Sequence, residues 1–159
     1  AQLKKVYPNL QVIIAKSNNV TIPKADKSFK VEKNAKKAII ASDIAIVASG
    51  TATLECAIEG TPLVVCYKVS FLTWFLAKLM VKVEHSSIVN LIAGKKIVPE
   101  FLQSEMKPNI IKNKLIELID EKSKIRNQMM KDFLTIKNKL GSPGVYTKIA
   151  NEILKATKT

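Results

Sequence analysis

"SDIAIVASGTATLECAIEGTPLVV", residues Ser42 to Val65, changes its apolar period twice in 24 residues. The run from Asp43 to Ser49 is almost continuously apolar, as in a strand buried on both faces. It breaks on Ser49-Gly50-Thr51, and "TATLECAIE" (Thr51 to Glu59) restarts at helical spacing. A second apolar run, "PLVVCY" (Pro62 to Tyr67), follows Gly60 and predicts another strand. Strand, helix and strand joined by such short connections give a parallel pair, and therefore an α/β class of fold.

The same alternation extends upstream. "LQVIIA" (Leu10 to Ala15) reads as a strand after a helix that ends at Tyr7-Pro8, and a loop with Asn18, Asn19 and Pro23 follows. "NAKKAIIAS" (Asn34 to Ser42) predicts a short helix with Ala35, Ala38 and Ile39 on one face. Three short apolar strands alternating with helices predict a Rossmann-like parallel sheet with flanking helices. The N-terminus has no initiator Met and no signal core, and reads as the middle of an αβ unit, so a preceding segment is expected.

Downstream, "SFLTWFLAKLMVKV" (Ser70 to Val83) predicts a helix capped by Ser70, with Phe71, Trp74, Phe75 and Leu79 in one stripe and Lys78 and Lys82 one turn apart. The stripe suits either core packing or a membrane surface. Ser86 to Gln103 is a region of loops and short elements punctuated by Gly94 and Pro99. From Pro108 the pattern is helical to the end, divided by Gly141 and Pro143.

With 159 residues the chain is one domain by length, and its longest apolar runs fall well short of a membrane span of ~18 residues. The net charge of +13 is concentrated at the two ends. Residues 1–40 carry 9 Lys against 2 acids and residues 106–159 carry 12 basic residues against 5 acids, while 41–105 carry 5 against 6. Arg126 is the one Arg among 26 basic residues, which argues against a nucleic-acid reader dependent on bidentate Arg contacts. Lysine dominance suits solvated surface charge with nonspecific attraction to anionic membrane or polyanion. Cys56 and Cys66, with His85 as the sole His, lack zinc-site spacing and read as two reduced, packed thiols.

A turn from strand to helix presents backbone N–H groups at the carboxyl end of a parallel sheet, where open α/β folds bind anions such as diphosphate. Gly50 removes a side chain where a phosphate must come close. Glu55 follows Thr51 by four positions, on the same side of the helix, and a carboxylate there can accept from both ribose hydroxyls. An ordinary N-cap with a solvated Glu55 suits the same residues. The turn is neither a Walker loop nor a GxGxxG fingerprint. Asn90, ahead of Gly94, reads as a binding loop or a turn, and His85 has no recognisable nucleophile and acid beside it.

Four linked stretches, "SDIAIVASGTATLE", "GTPLVVCYKVS", "LTWFLAKLMVKV" and "NLIAGKKIVPEFLQ", resemble in order and interval the C-terminal half of bacterial lipid-A-disaccharide synthases, inverting glycosyltransferases of GT-B architecture. The resemblance implies an incomplete C-terminal donor-nucleotide domain over residues 1–105 and C-terminal helices, 106–159, that pack on it or cross back from it. It implies transfer of 2,3-diacylglucosamine from its UDP derivative to 2,3-diacylglucosamine 1-phosphate, without metal or cofactor. Ser49, Gly50, Thr51 and Ala52 then match the diphosphate-facing turn, Glu55 the ribose contact, and Asn90 with Leu91 the loop bordering the nucleotide. Phe71, Trp74, Phe75, Lys78 and Lys82 become a lipid-facing or dimer-contact element. The setting implied is cytoplasmic, peripheral to the inner membrane, with a homodimer through the C-terminal half admitted.

The family's preceding half, which binds acceptor and supplies the catalytic base, has no counterpart here. Nor does the first strand of the nucleotide domain, with its Pro-Gly-Ser-Arg turn, before Ala1. The chain alone is therefore expected to bind nucleotide weakly and not to turn over. The competing readings are a nonenzymatic basic module on the membrane surface and the donor domain of another GT-B enzyme, such as a peptidoglycan N-acetylglucosaminyl transferase.

Overall fold

A computed structural model describes residues 2–16, 28–70, 85–141 and 144–157. The membrane-or-partner stripe, Phe71 to Lys82, lies outside them. A short 3-10 turn, Leu3–Lys5, precedes strand β1, Val12–Ala15. Then come β2 (Phe29–Glu32), α1 (Ala35–Ile40), β3 (Ala45–Val47), α2 (Thr51–Glu59) and β4 (Leu63–Tyr67). After the undescribed stretch come α3 (Ile88–Ala93), β5 (Glu100–Leu102), a 3-10 turn (Gln103–Glu105), and the helices α4 (Pro108–Ile119), α5 (Lys124–Leu140) and α6 (Val145–Ala156).

The α/β class and the parallel pairing match the sequence expectation, and α2 has the expected bounds. The described strands number five rather than three, however, and they form two sheets, β1–β2 and β3–β4–β5, parallel throughout. β2 escapes the sequence reading because "FKVE" alternates apolar and charged residues over only four positions, as a half-exposed edge strand does. β5 escapes it because Pro99 and Glu100 interrupt an apolar run. The long helical stretch after Pro108 also divides once more than expected. Ser123 accepts a hydrogen bond from the Arg126 N–H and so caps a new helix, α5.

β4 is the centre of the larger sheet, and its Leu63, Val64 and Val65 are fully buried. α2 covers it with Cys56 and Ala57, and α5 packs on α2 with Met129, Phe133 and Ile136 at helical spacing. α4 adds Leu115 and Leu118, and Leu3 reaches the same cluster from the N-terminal turn. Both thiols are free, and burial pushes the Cys56 thiol up to about 11. No described helix is long and apolar enough to cross a membrane.

Arg126, the sole Arg, holds the helical end of the domain together. Its guanidinium donates to the Leu118 carbonyl in the last turn of α4 (2.7 Å) and to the Asp43 carbonyl ahead of β3 (3.3 Å). These bonds satisfy a carbonyl that a helix terminus leaves open. Arg126→Ala is expected to lower the unfolding free energy by about 1–2 kcal/mol, read as a shifted denaturant midpoint with unchanged slope.

Candidate strand-to-helix anion site

Ser49, Gly50 and Thr51 join β3 to α2 at the carboxyl end of the sheet. Gly50 has φ 152° and ψ −167°, a region essentially reserved for glycine. A Cβ at Gly50 would meet no atom within 4 Å, so conformation rather than crowding requires glycine there. Thr53, fully buried, turns its hydroxyl back to donate to the Gly50 carbonyl (2.8 Å) and fixes the turn. Gly50 offers no side-chain cap, so the first amides of α2 open past the helix end.

A loop 37 residues further on braces this turn. The Ser49 hydroxyl donates to the Ser86 carbonyl (2.6 Å), so its proton is committed within the chain and what it can give a phosphate is its backbone N–H. Ser86, Ser87 and Asn90 in turn surround Glu100, whose carboxylate is 7% exposed. One carboxylate oxygen accepts from the Ser86 N–H (3.0 Å) and hydroxyl (2.8 Å). The other accepts from the Ser87 N–H (2.9 Å), the Ser87 hydroxyl (2.6 Å) and Asn90 Nδ2 (2.8 Å). Burial alone pushes this carboxyl up, but the hydrogen bonds from Ser87 and Ser86 outweigh it and hold it down to about 2.

Register explains why Glu100 can do this. Val47, the last residue of β3, pairs with Val65, and Val65 pairs with Glu100. The carboxylate therefore stands level with the end of β3, two strands away from the Ser49 turn. The bonds of Asn90 are equally complete. Its Nδ2 donates to the Val98 carbonyl (3.0 Å) as well as to Glu100, and its Oδ1 accepts from the N–H groups of Ile97 (2.8 Å) and Val98 (2.9 Å).

Of the residues singled out from sequence, Ser49, Gly50, Thr51 and Ala52 form one continuous turn, tied through Ser86 to the segment that leads into α3; Asn90 and Leu91 sit in that helix, capped by Ser87, and not in the expected loop or turn. Glu55 is exposed one turn into α2 and makes no hydrogen bond or ion pair with another described residue. Leu91 is exposed, but Asn90 is fully buried with all its polar atoms engaged, so it positions the loop from within. Thr53, Ser86, Ser87 and Glu100 were missed. The signal for Glu100 is a lone carboxylate in the apolar run "IVPEFL", which a folded chain tolerates only when the charge is supplied with donors.

The family model described as lipid-A-disaccharide synthetase matches residues 1–147 of this sequence. The chain belongs to that family. It is 35% identical to the lipid-A-disaccharide synthase of Myxococcus xanthus over 161 aligned residues, covering 96% of this chain and 42% of that protein. The synthase of a Sulfurihydrogenibium species is 36% identical, over 95% of this chain and 38% of its own length. That of Rickettsia prowazekii is 45% identical over 95 residues, 60% of this chain and 25% of the relative. The chain thus spans less than half the length of the family members it matches, and the braced turn falls within the residues matched by the family model.

Proposed function

We propose that this chain is the donor-nucleotide part of a lipid A glycosyltransferase, with the Ser49–Ala52 turn as the cradle for the diphosphate of a UDP-sugar. The observation that carries the proposal is the Gly50 turn. A glycine-only conformation at the carboxyl end of a parallel strand opens helix amides toward an anion, while Ser49 and the Glu100-centred loop hold it rigid. Glu55 accepts from the ribose hydroxyls, and Leu91 with the loop built around Asn90 borders the nucleotide.

The substrates are UDP-2,3-diacylglucosamine and 2,3-diacylglucosamine 1-phosphate. Departing UDP gains negative charge in the transition state, and amides already aimed at it stabilise that charge without reorganising. The acceptor hydroxyl needs a base, and none of the residues at this turn is placed to be one. We assign the base, and acceptor binding, to the portion of the relatives' length with no counterpart here, so the 159-residue chain alone is inactive. Phe71, Trp74, Phe75, Lys78 and Lys82 attach the protein to the inner-membrane surface or to a second copy.

Calorimetric titration with UDP tests the site. Glu55→Ala is expected to weaken binding about tenfold, the scale of one lost charge-assisted contact, and Lys124→Ala to leave it unchanged. Absence of UDP binding even in a protein extended by the missing portion overturns the assignment. Flotation of the chain with anionic liposomes, abolished by salt and indifferent to UDP, would instead favour the membrane-module reading.

A further inference from the structure

Gln103 follows β5 in a conformation that glutamine rarely adopts. Its φ is 49°, the one positive value at a non-glycine residue among those described, in the left-handed region that favours glycine and, after it, asparagine and aspartate. Its Nε2 is the one buried side-chain nitrogen or oxygen among the described residues that has no hydrogen-bond partner. A left-handed backbone and an unpaired buried donor are each unfavourable, and both fall on this residue.

The turn itself does not require a glutamine. The Leu102 N–H donates to the Glu105 carboxylate (3.4 Å) and the Met106 N–H to the Gln103 carbonyl (3.3 Å), which closes the 3-10 turn without the Gln103 amide. Glycine would meet the backbone need at lower cost. What glutamine adds is a neutral amide on a long side chain, with two N–H donors and an acceptor oxygen. Register places this residue beside the candidate site. Val47 pairs with Val65 and Val65 with Glu100, while Tyr67 pairs with Leu102, so Leu102 is level with Ser49, two residues beyond Val47. Two strand spacings, about 10 Å, therefore separate the backbone of Gln103 from the Ser49–Gly50 turn. Both stand at the carboxyl edge, where open α/β sheets bind ligands. The bonds from Ser49 to Ser86 and from Ser86 to Glu100 hold that separation.

We infer that Gln103 recognises the sugar of the nucleotide sugar: its amide turns outward about its side-chain bonds and exchanges an interior position without a partner for hydrogen bonds to hydroxyl or acyl oxygens of the hexose. This role rests on the reading that the Ser49–Ala52 turn holds the diphosphate. With the diphosphate on that turn and the ribose at Glu55, the group left to recognise is the hexose, and a gap of two strands accommodates one such ring. The hexose is uncharged and rich in hydroxyls. A neutral amide pairs with such oxygens in both directions, whereas a phosphate calls for Lys or Arg. The left-handed backbone thus serves to present the side chain at the sheet edge, where an unfavourable conformation is kept for a ligand contact rather than for the fold.

The test is calorimetric titration of the 159-residue chain, wild type and Gln103→Gly, with UDP and with UDP-N-acetylglucosamine. The second ligand is a soluble probe that keeps the 4- and 6-hydroxyls and the 2-acylamino group of the proposed donor. Gln103→Gly is expected to bind UDP unchanged and UDP-N-acetylglucosamine about tenfold more weakly, the scale of lost hydrogen bonds to one side chain. Its urea midpoint is expected to rise, because glycine accepts the left-handed conformation and the unpaired donor is gone. A side chain kept for the fold alone gives the reverse, a lower midpoint with both affinities intact. Three results overturn the inference: a lowered midpoint, an unchanged affinity for UDP-N-acetylglucosamine, or an equal loss for UDP, which puts the amide on the nucleotide. If neither ligand binds the wild-type chain or the protein extended by the missing portion, the nucleotide assignment fails and the sugar contact with it. If UDP binds and only the difference between the two ligands is missing, the sugar contact alone fails.

Discussion

Glu100→Gln lowers the unfolding free energy by about 3 kcal/mol at neutral pH, the usual scale for breaking a buried charged network. The carboxylate accepts five hydrogen bonds, and a glutamine has a single acceptor oxygen. Its amide group would face donors from either Ser86 or from Ser87 and Asn90; the serine hydroxyls can rotate to accept from it, but at least the facing Ser86 or Ser87 backbone N–H is left without an acceptor. The pH dependence follows from the same bonds. The Glu100 carboxyl is held at about 2 in the folded protein against an ordinary 4.5, so its contribution is complete above about pH 4.5 and is lost as pH falls toward 2. A depression of that size corresponds to about 3 kcal/mol. Urea unfolding at several pH values reads both effects, and in Glu100→Gln the acid slope from this residue disappears. A variant of wild-type stability, or one that keeps the whole acid slope, would remove Glu100 from the brace.

Asn90→Asp has the opposite pH signature. The substitution preserves shape and the Oδ1 bonds to Ile97 and Val98, but it replaces the donor 2.8 Å from Glu100 with a second carboxylate oxygen. Two carboxylates that close do not both stay charged, so the pair binds a proton at a raised pKa. The expected cost is about 3 kcal/mol at neutral pH. Because the raised pKa belongs to the folded state, the loss shrinks as pH falls from about 7 toward 5, a range in which the wild-type Glu100 contributes no slope of its own. Paired unfolding curves for the two proteins distinguish this from a general loss of packing, which would not depend on pH. As the loop also holds Ser49 through the Ser86 carbonyl, UDP affinity of the extended protein should fall with it.

The contrast between Gly50 and Glu100 shows what could be read in advance. Gly50 declares itself locally: a glycine between an apolar run and an amphipathic one marks a turn, whatever the rest of the chain does. Thr51 to Glu59 likewise carries its helix in its own spacing. Glu100 shows locally only a lone charge in an apolar run; what it does is not local, because its donors come from residues 10 to 14 positions earlier and meet it only when β5 docks on β4. Asn90 reads from sequence as part of a loop or turn, whereas it is a buried residue of α3, and its burial depends on the return of Ile97 and Val98 across it. β2 was missed for a related reason, since four alternating residues become a strand only with β1 to pair with.

By itself the sequence determined the alternation of strands and helices and the glycine turn at residue 50, both carried by short-range pattern, and its likeness to the lipid-A-disaccharide synthetase family over residues 1–147 placed the chain in that family. Tertiary structure alone decided that the described strands form two sheets, β1–β2 and β3–β4–β5, that Ser49 commits its hydroxyl to Ser86, and that a buried Glu100 braces the turn. Strand register and burial are set by contacts between distant segments, and a carboxylate becomes a structural anchor only after folding has removed water and supplied N–H and O–H groups in its place.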